Sequence, residues 1–134
     1  VESNIQNKQY IAQSEKLIQN AKPLNSHTES FQFNNKNYVL RMDLVTETAS
    51  DALYSVSLDT KPSLFDSADT NNIVCKINLA HPFFTRFDQF KKGDDYMPII
   101  TIFKALALAE IMAPSRGTQY ASNIRLLFNQ YIMQ

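Results

Sequence analysis

The sequence predicts an α+β fold, and three observations carry that expectation. Apolar residues alternate with polar ones from Phe31 to Leu79. They take near-helical spacing from Phe83 onward, and form a thin helical stripe before Pro23. Strands that precede the main helices, rather than alternating with them, separate α+β chains from α/β chains. The expected architecture is an antiparallel meander of three to four strands, covered on one face by C-terminal helices, with an N-terminal helix.

The elements follow in order. Residues 3–22 read as a polar helix with Ile5, Tyr10, Ile11, Leu17, Ile18 and Ala21 on its apolar stripe, ended by Pro23. Such a helix needs a partner surface, because short isolated helices are marginal in water. Residues 1–22 are therefore read as a connector helix and 23–134 as one α+β domain, with 22–30 as the candidate linker. Asn34-Asn35-Lys36-Asn37 fits a hairpin turn, since asparagine tolerates left-handed backbone. The next strand points Tyr38, Leu40, Met42 and Leu44 one way. Residues 52–59 and 72–79 repeat the alternation, the last with Ile73, Cys75, Ile77 and Leu79. Arg41, Asp43, Lys76 and Asn78 then share the opposite face, which is expected to meet solvent.

Phe83, Phe84, Phe87 and Phe90 form a short amphipathic segment that Gly93 can end. Asp94 and Asp95 precede a helix from about Tyr96 to Ala113, apolar around most of its circumference and expected to be the central buried helix. Pro114-Ser115-Arg116-Gly117 breaks it. Thr118 can cap a last helix whose apolar side is Ala121, Ile124, Leu127, Phe128 and Tyr131.

Composition narrows the function classes. The 134 residues are 44% hydrophobic and 19% charged, with 13 basic and 13 acidic side chains and a net charge of zero. A neutral chain lacks the basic surplus that nonspecific nucleic-acid or anionic-membrane binding needs. The one cysteine excludes an internal disulfide and makes a reducing cytoplasm the simpler home. No apolar run reaches the ~20 residues of a spanning helix. Two glycines, Gly93 and Gly117, leave no phosphate-cradling loop. The chain opens at Val1, which leads to the expectation of a piece cut from a longer protein.

No residue set has the spacing of a catalytic or metal centre, so no catalytic residue and no cofactor is expected. His81 and Pro82 are read as a structural turn, His81 bonding backbone where Pro82 has no N–H to give. Cys75 with His81 is weighed as a thiol nucleophile and set aside, because Cys75 lies on the apolar face. Ser63, Ser67 and Ser115 have no base partner, and His27 has no companion ligand. Glu110, on a helix apolar nearly all round, needs a partner. Arg125 is expected to provide it as a buried ion pair, with Arg116 the alternative. Arg86, Lys91 and Lys92 among phenylalanines make a candidate basic contact patch of the kind single-strand binders use.

The runs Ile77-Asn78-Leu79-Ala80-His81-Pro82-Phe83-Phe84, Ala105-Leu106-Ala107-Leu108-Ala109-Glu110 and Asn123-Ile124-Arg125 with Asn129 resemble the C-terminal region of bacterial GHKL-type ATP-binding proteins, the gyrase B-like and heat-shock-chaperone-like group. The resemblance covers roughly residues 72–132, and Ala80 departs from it where a polar residue is expected. It implies a non-catalytic tail following an ATPase module, with that upstream domain or a second copy as partner. The family's Mg-binding Glu/Asn helix and glycine-rich motifs are missing, so no ATP-site residue carries over. The alternatives are a stand-alone binding domain holding a peptide or ligand on an uncovered sheet face, and a nucleic-acid accessory domain acting through Arg86, Lys91 and Lys92.

Overall fold

The computed structural model describes residues 2–61, 70–87, 96–117 and 120–132, without the side chains of 2–9, 59–61, 115 and 116. Helix α1 (Glu2–Gln19) is followed by strands β1 (Asn25–Phe33), β2 (Lys36–Val45), β3 (Tyr54–Lys61) and β4 (Thr70–Asn78). Helices α2 (Pro82–Arg86), α3 (Met97–Met112) and α4 (Ala121–Ile132) complete the chain. The fold is α+β. Asn34 and Asn35, at φ 52° and 61°, turn the β1–β2 hairpin where the asparagine run predicts. A 3₁₀ turn at Ala113–Arg116 extends α3, and Gly117 at φ 84° ends it in left-handed backbone that favours glycine.

Two strand expectations need correction. The sheet order is β1-β2-β4-β3, so it is mixed rather than a meander: β4 lies parallel to β2 and antiparallel to β3. The reason is burial. In β4, Ile73, Cys75 and Ile77 are fully buried on one face, and Lys76 and Asn78 are covered on the other at 8% and 0% exposure, which requires a central position. Strand β3, with Ser57 and Leu58 exposed, tolerates the edge. The expected linker also falls partly within β1, which pairs with β2 from Asn25 onward. As an edge strand it has one partner, and its polar residues keep contact with water.

The order requires residues 46–53 to pass over the end of β4, and Asn78 pegs this crossover. Its Oδ1 accepts from the Glu47 and Ala80 amides, while Nδ2 donates to the Glu47 and Ala52 carbonyls. The backbone adds bonds from Asn78 N to Leu53 O and from Leu79 N to Val45 O. Asn78 is fully buried, so these bonds replace water lost on folding.

One sheet face forms the main core. Leu40, Met42, Leu44, Tyr54, Val56, Ile73, Cys75 and Ile77 pack against Phe84 of α2 and Ile99, Ile100, Phe103 and Ala107 of α3. Helix α3 is not buried all round: Ile102 is 54% exposed, and Ala105 and Ala109 also face out. The other face is not left to solvent. Ile18 of α1 packs on Val45 and Ala52, with Ala21 beside them. Burying an Ile side chain is worth about 1.5–3 kcal/mol, so Ile11 and Ile18 anchor the helix. Lys76 Nζ donates to the carbonyls of Gln19 and Ala21 at 2.8 and 2.9 Å, supplying a cation at the negative end of α1. Asp43 beside it is fully buried and accepts from Ser26 Oγ and Arg41 Nε. Of the four polar residues expected in water, only Arg41 is exposed.

Candidate interaction surface

Helix α4 carries one charged residue, Arg125, and directs it inward. Arg125 Nη1 donates to Glu110 Oε2 of α3, and Nε to Glu15 Oε1 of α1. The guanidinium is 11% exposed and its carboxylates 12% and 4%, so the group is nearly dry and joins three helices. Two carboxylates share one cation, and each keeps a buried oxygen without a hydrogen bond among the described residues, Glu15 Oε2 and Glu110 Oε1. Burial pushes the Glu15 carboxyl above the usual range, and the attraction of Arg125 only partly opposes it. One turn further, buried Asn129 accepts from the Leu53 and Tyr54 amides and donates to Tyr54 O, fixing α4 to the start of β3. The sequence pairs Glu110 with Arg125 but gives no sign of Glu15, Lys76 or Asn129 as anchors. Glu15 sits on a helix that reads as polar throughout.

The apolar side expected for α4 divides in two. Ala121 is buried, and Phe128 meets Tyr54 edge-on at 5.5 Å. Ile124, Leu127 and Tyr131, spaced three and four apart, face out at 66%, 49% and 63% exposure. Tyr120, which precedes α4 in the chain, is also exposed. Ile124 forms a ridge between two depressions. One, of about 230 Å³, lies between α3 and α4 and is lined by Leu106, Ala109, Ala113 and Ala121, with Glu110, Arg125 and Tyr54 also on its wall. The other, of about 460 Å³, is bounded by Leu127, Phe128, Tyr131 and Ile132.

The remaining sequence candidates lie elsewhere. His81 is buried and caps α2: Nδ1 accepts from the Phe83 amide at 3.0 Å, with Pro82 as the first helical residue. Burial pushes its pKa down, while the backbone and the charge of Asp51 pull the other way. The neutral ring with its proton on Nε2 fits this environment. Cys75 is buried in the core and its thiol is pushed up by burial, so it stays protonated at neutral pH. Arg86 is exposed at the end of α2. Lys91, Lys92, Phe90, Gly93, Asp94, Asp95, Ser63, Ser67 and Thr118 lie outside the described residues, as do the side chains of Ser115 and Arg116. Among the described residues, no group of three or more His, Cys, Asp or Glu side chains could hold a metal ion. No described helix is long and apolar enough to cross a membrane.

No protein-family model, curated protein or solved structure matches the chain.

Proposed function

We propose that this chain is a non-catalytic interaction and coupling domain of a larger ATP-binding protein, acting by pairing helix α4 with α4 of a second copy. The observation that carries this reading is the uncharged apolar stripe of Ile124, Leu127 and Tyr131 on the outer face of α4. Scattered exposed hydrophobics are ordinary, whereas a contiguous helical stripe calls for a partner. A second copy suits it because a twofold contact pairs one patch with itself, residues near the axis meet their own counterparts, and like charges there would repel. The only charge on α4 points inward, already paired. A projecting Ile124 between two apolar depressions gives one surface both a knob and hollows to receive it. Arg125 beneath the stripe supplies the coupling, since it grips α1 and α3 together. The ATP-binding parent rests on the sequence resemblance of residues 72–132 alone.

Cross-linking tests the reading. Cys75 is buried, so a cysteine placed at Leu127 is the one accessible thiol among the described residues. Leu127→Cys should form a disulfide dimer under mild oxidation far faster than Thr85→Cys, an exposed control on α2. Equal rates for the two variants would reject the α4 contact.

A further inference from the structure

We propose that the second face of the sheet holds a binding site for one tetrahedral oxyanion, a phosphate or sulfate group, between Arg41, Lys76, Ser55 and Ser57. A cavity of about 130 Å³ opens there, lined by these four residues with Gln19 and Val74. At ~30 Å³ per water this is the space of about four waters, well below the ~300–1,000 Å³ of organic-ligand sites. Size therefore selects a small ion or a terminal group.

Register sets the lining. Ser55 pairs with Lys76, Ser57 with Val74, and Arg41 with Val74 across the other side of β4, so the side chains converge on one face. Most of the polar groups there are hydrogen-bond donors. Arg41 uses Nε on Asp43, and its two terminal nitrogens make no bond among the described residues. Lys76 Nζ spends two of its three hydrogens on Gln19 O and Ala21 O and lies 4.0 Å from Asp43. Ser55 is 1% exposed, and its Oγ finds no partner among the described residues. A buried hydroxyl without a partner is costly, and an oxyanion oxygen would accept from it.

The charges agree. Among the described side chains, Arg41 and Lys76 against Asp43 leave one positive charge at the cavity. Asp43 already accepts from Ser26 and Arg41, so it competes weakly for the remaining donors. Burial holds the Lys76 pKa down, Asp43 pulls it the other way, and repulsion from Arg41 adds a smaller push downward. An anion between them relieves that repulsion and forms charge-assisted bonds, as Arg and Lys do with phosphate.

The test is calorimetric and thermal titration of the full chain with inorganic phosphate, sulfate and O-phosphoserine, each against sodium chloride at matched ionic strength. Phosphate should bind saturably and raise the midpoint temperature by several degrees beyond chloride. Arg41→Gln and Ser55→Ala should each weaken phosphate at least tenfold while keeping the wild-type circular dichroism spectrum. Lys76 is a poor probe because it also holds α1. Binding of O-phosphoserine as well as phosphate would mark a site for a phosphoryl group on a larger molecule, and binding of the inorganic ions alone a site for a free ion. Both outcomes support the proposal. A phosphate response equal to that of chloride, or wild-type affinity in both variants, would overturn it.

Discussion

Replacing Arg125 with methionine tests whether the buried guanidinium holds α1, α3 and α4 together. The substitution keeps the apolar stem and deletes the charge, leaving Glu15 and Glu110 facing each other at 4% and 12% exposure. Removing one partner of a buried ion pair costs about 3–5 kcal/mol, because an uncompensated charge stays behind. For a chain of this size each kcal/mol moves the midpoint by roughly 3–5 °C, so the fall should be roughly 10–20 °C. The loss should depend on pH in a defined direction. Burial already raises the Glu15 carboxyl, and losing the cation raises it further. The native state then holds that proton more tightly than the unfolded chain does. Stability should accordingly recover as pH falls through the raised value toward the unfolded one, near ~4.3. Urea unfolding followed by circular dichroism at pH 7 and pH 5 measures both effects. The triple variant Arg125→Met, Glu15→Gln, Glu110→Gln removes all three charges and should regain most of the loss. A cost under about 1 kcal/mol at pH 7, or a triple variant no better than the single one, would refute the argument.

Two further stability predictions follow from buried polar side chains. Asn78→Ala should cost at least about 3 kcal/mol in urea unfolding, since it leaves the Glu47 amide and the Glu47 and Ala52 carbonyls without this partner, at ~1–3 kcal/mol for each group that stays buried. His81 has a folded pKa below its unfolded value, so its contribution is complete above pH ~6.5 and is lost as pH falls through the lowered value. His81→Asn keeps an oxygen to cap Phe83 N and should flatten stability between pH 7 and 5, which thermal melts at the two values would show.

Much of the fold is legible because periodicity is local. The alternation from Phe31 to Leu79 marks the strands, and the asparagine pair marks the hairpin. Strand order is not local. It depends on β4 being buried on both faces and on the Asn78 bonds, which reach 26 and 31 residues back to Ala52 and Glu47. The polar face reads as wet because the residues that cover it belong to α1, whose thin stripe does not reveal where it docks. Glu110 stands out as a lone carboxylate on an apolar helix and so calls for Arg125. Glu15, 110 residues before Arg125, lies among polar neighbours and gives no such sign. In α4 the apolar residues identify the helix, but spacing alone does not separate Phe128, turned inward, from Ile124 and Tyr131, turned outward.

Sedimentation velocity over a concentration series, for the wild-type chain and for Ile124→Asp, bears most directly on the role proposed for α4. The wild type should move from monomer to dimer as concentration rises. Ile124→Asp buries a charge at the centre of the contact, and a loss of at least ~2 kcal/mol, about thirtyfold in affinity, should leave it monomeric. A wild-type chain that stays monomeric throughout, or a variant that dimerises equally well, would contradict the account.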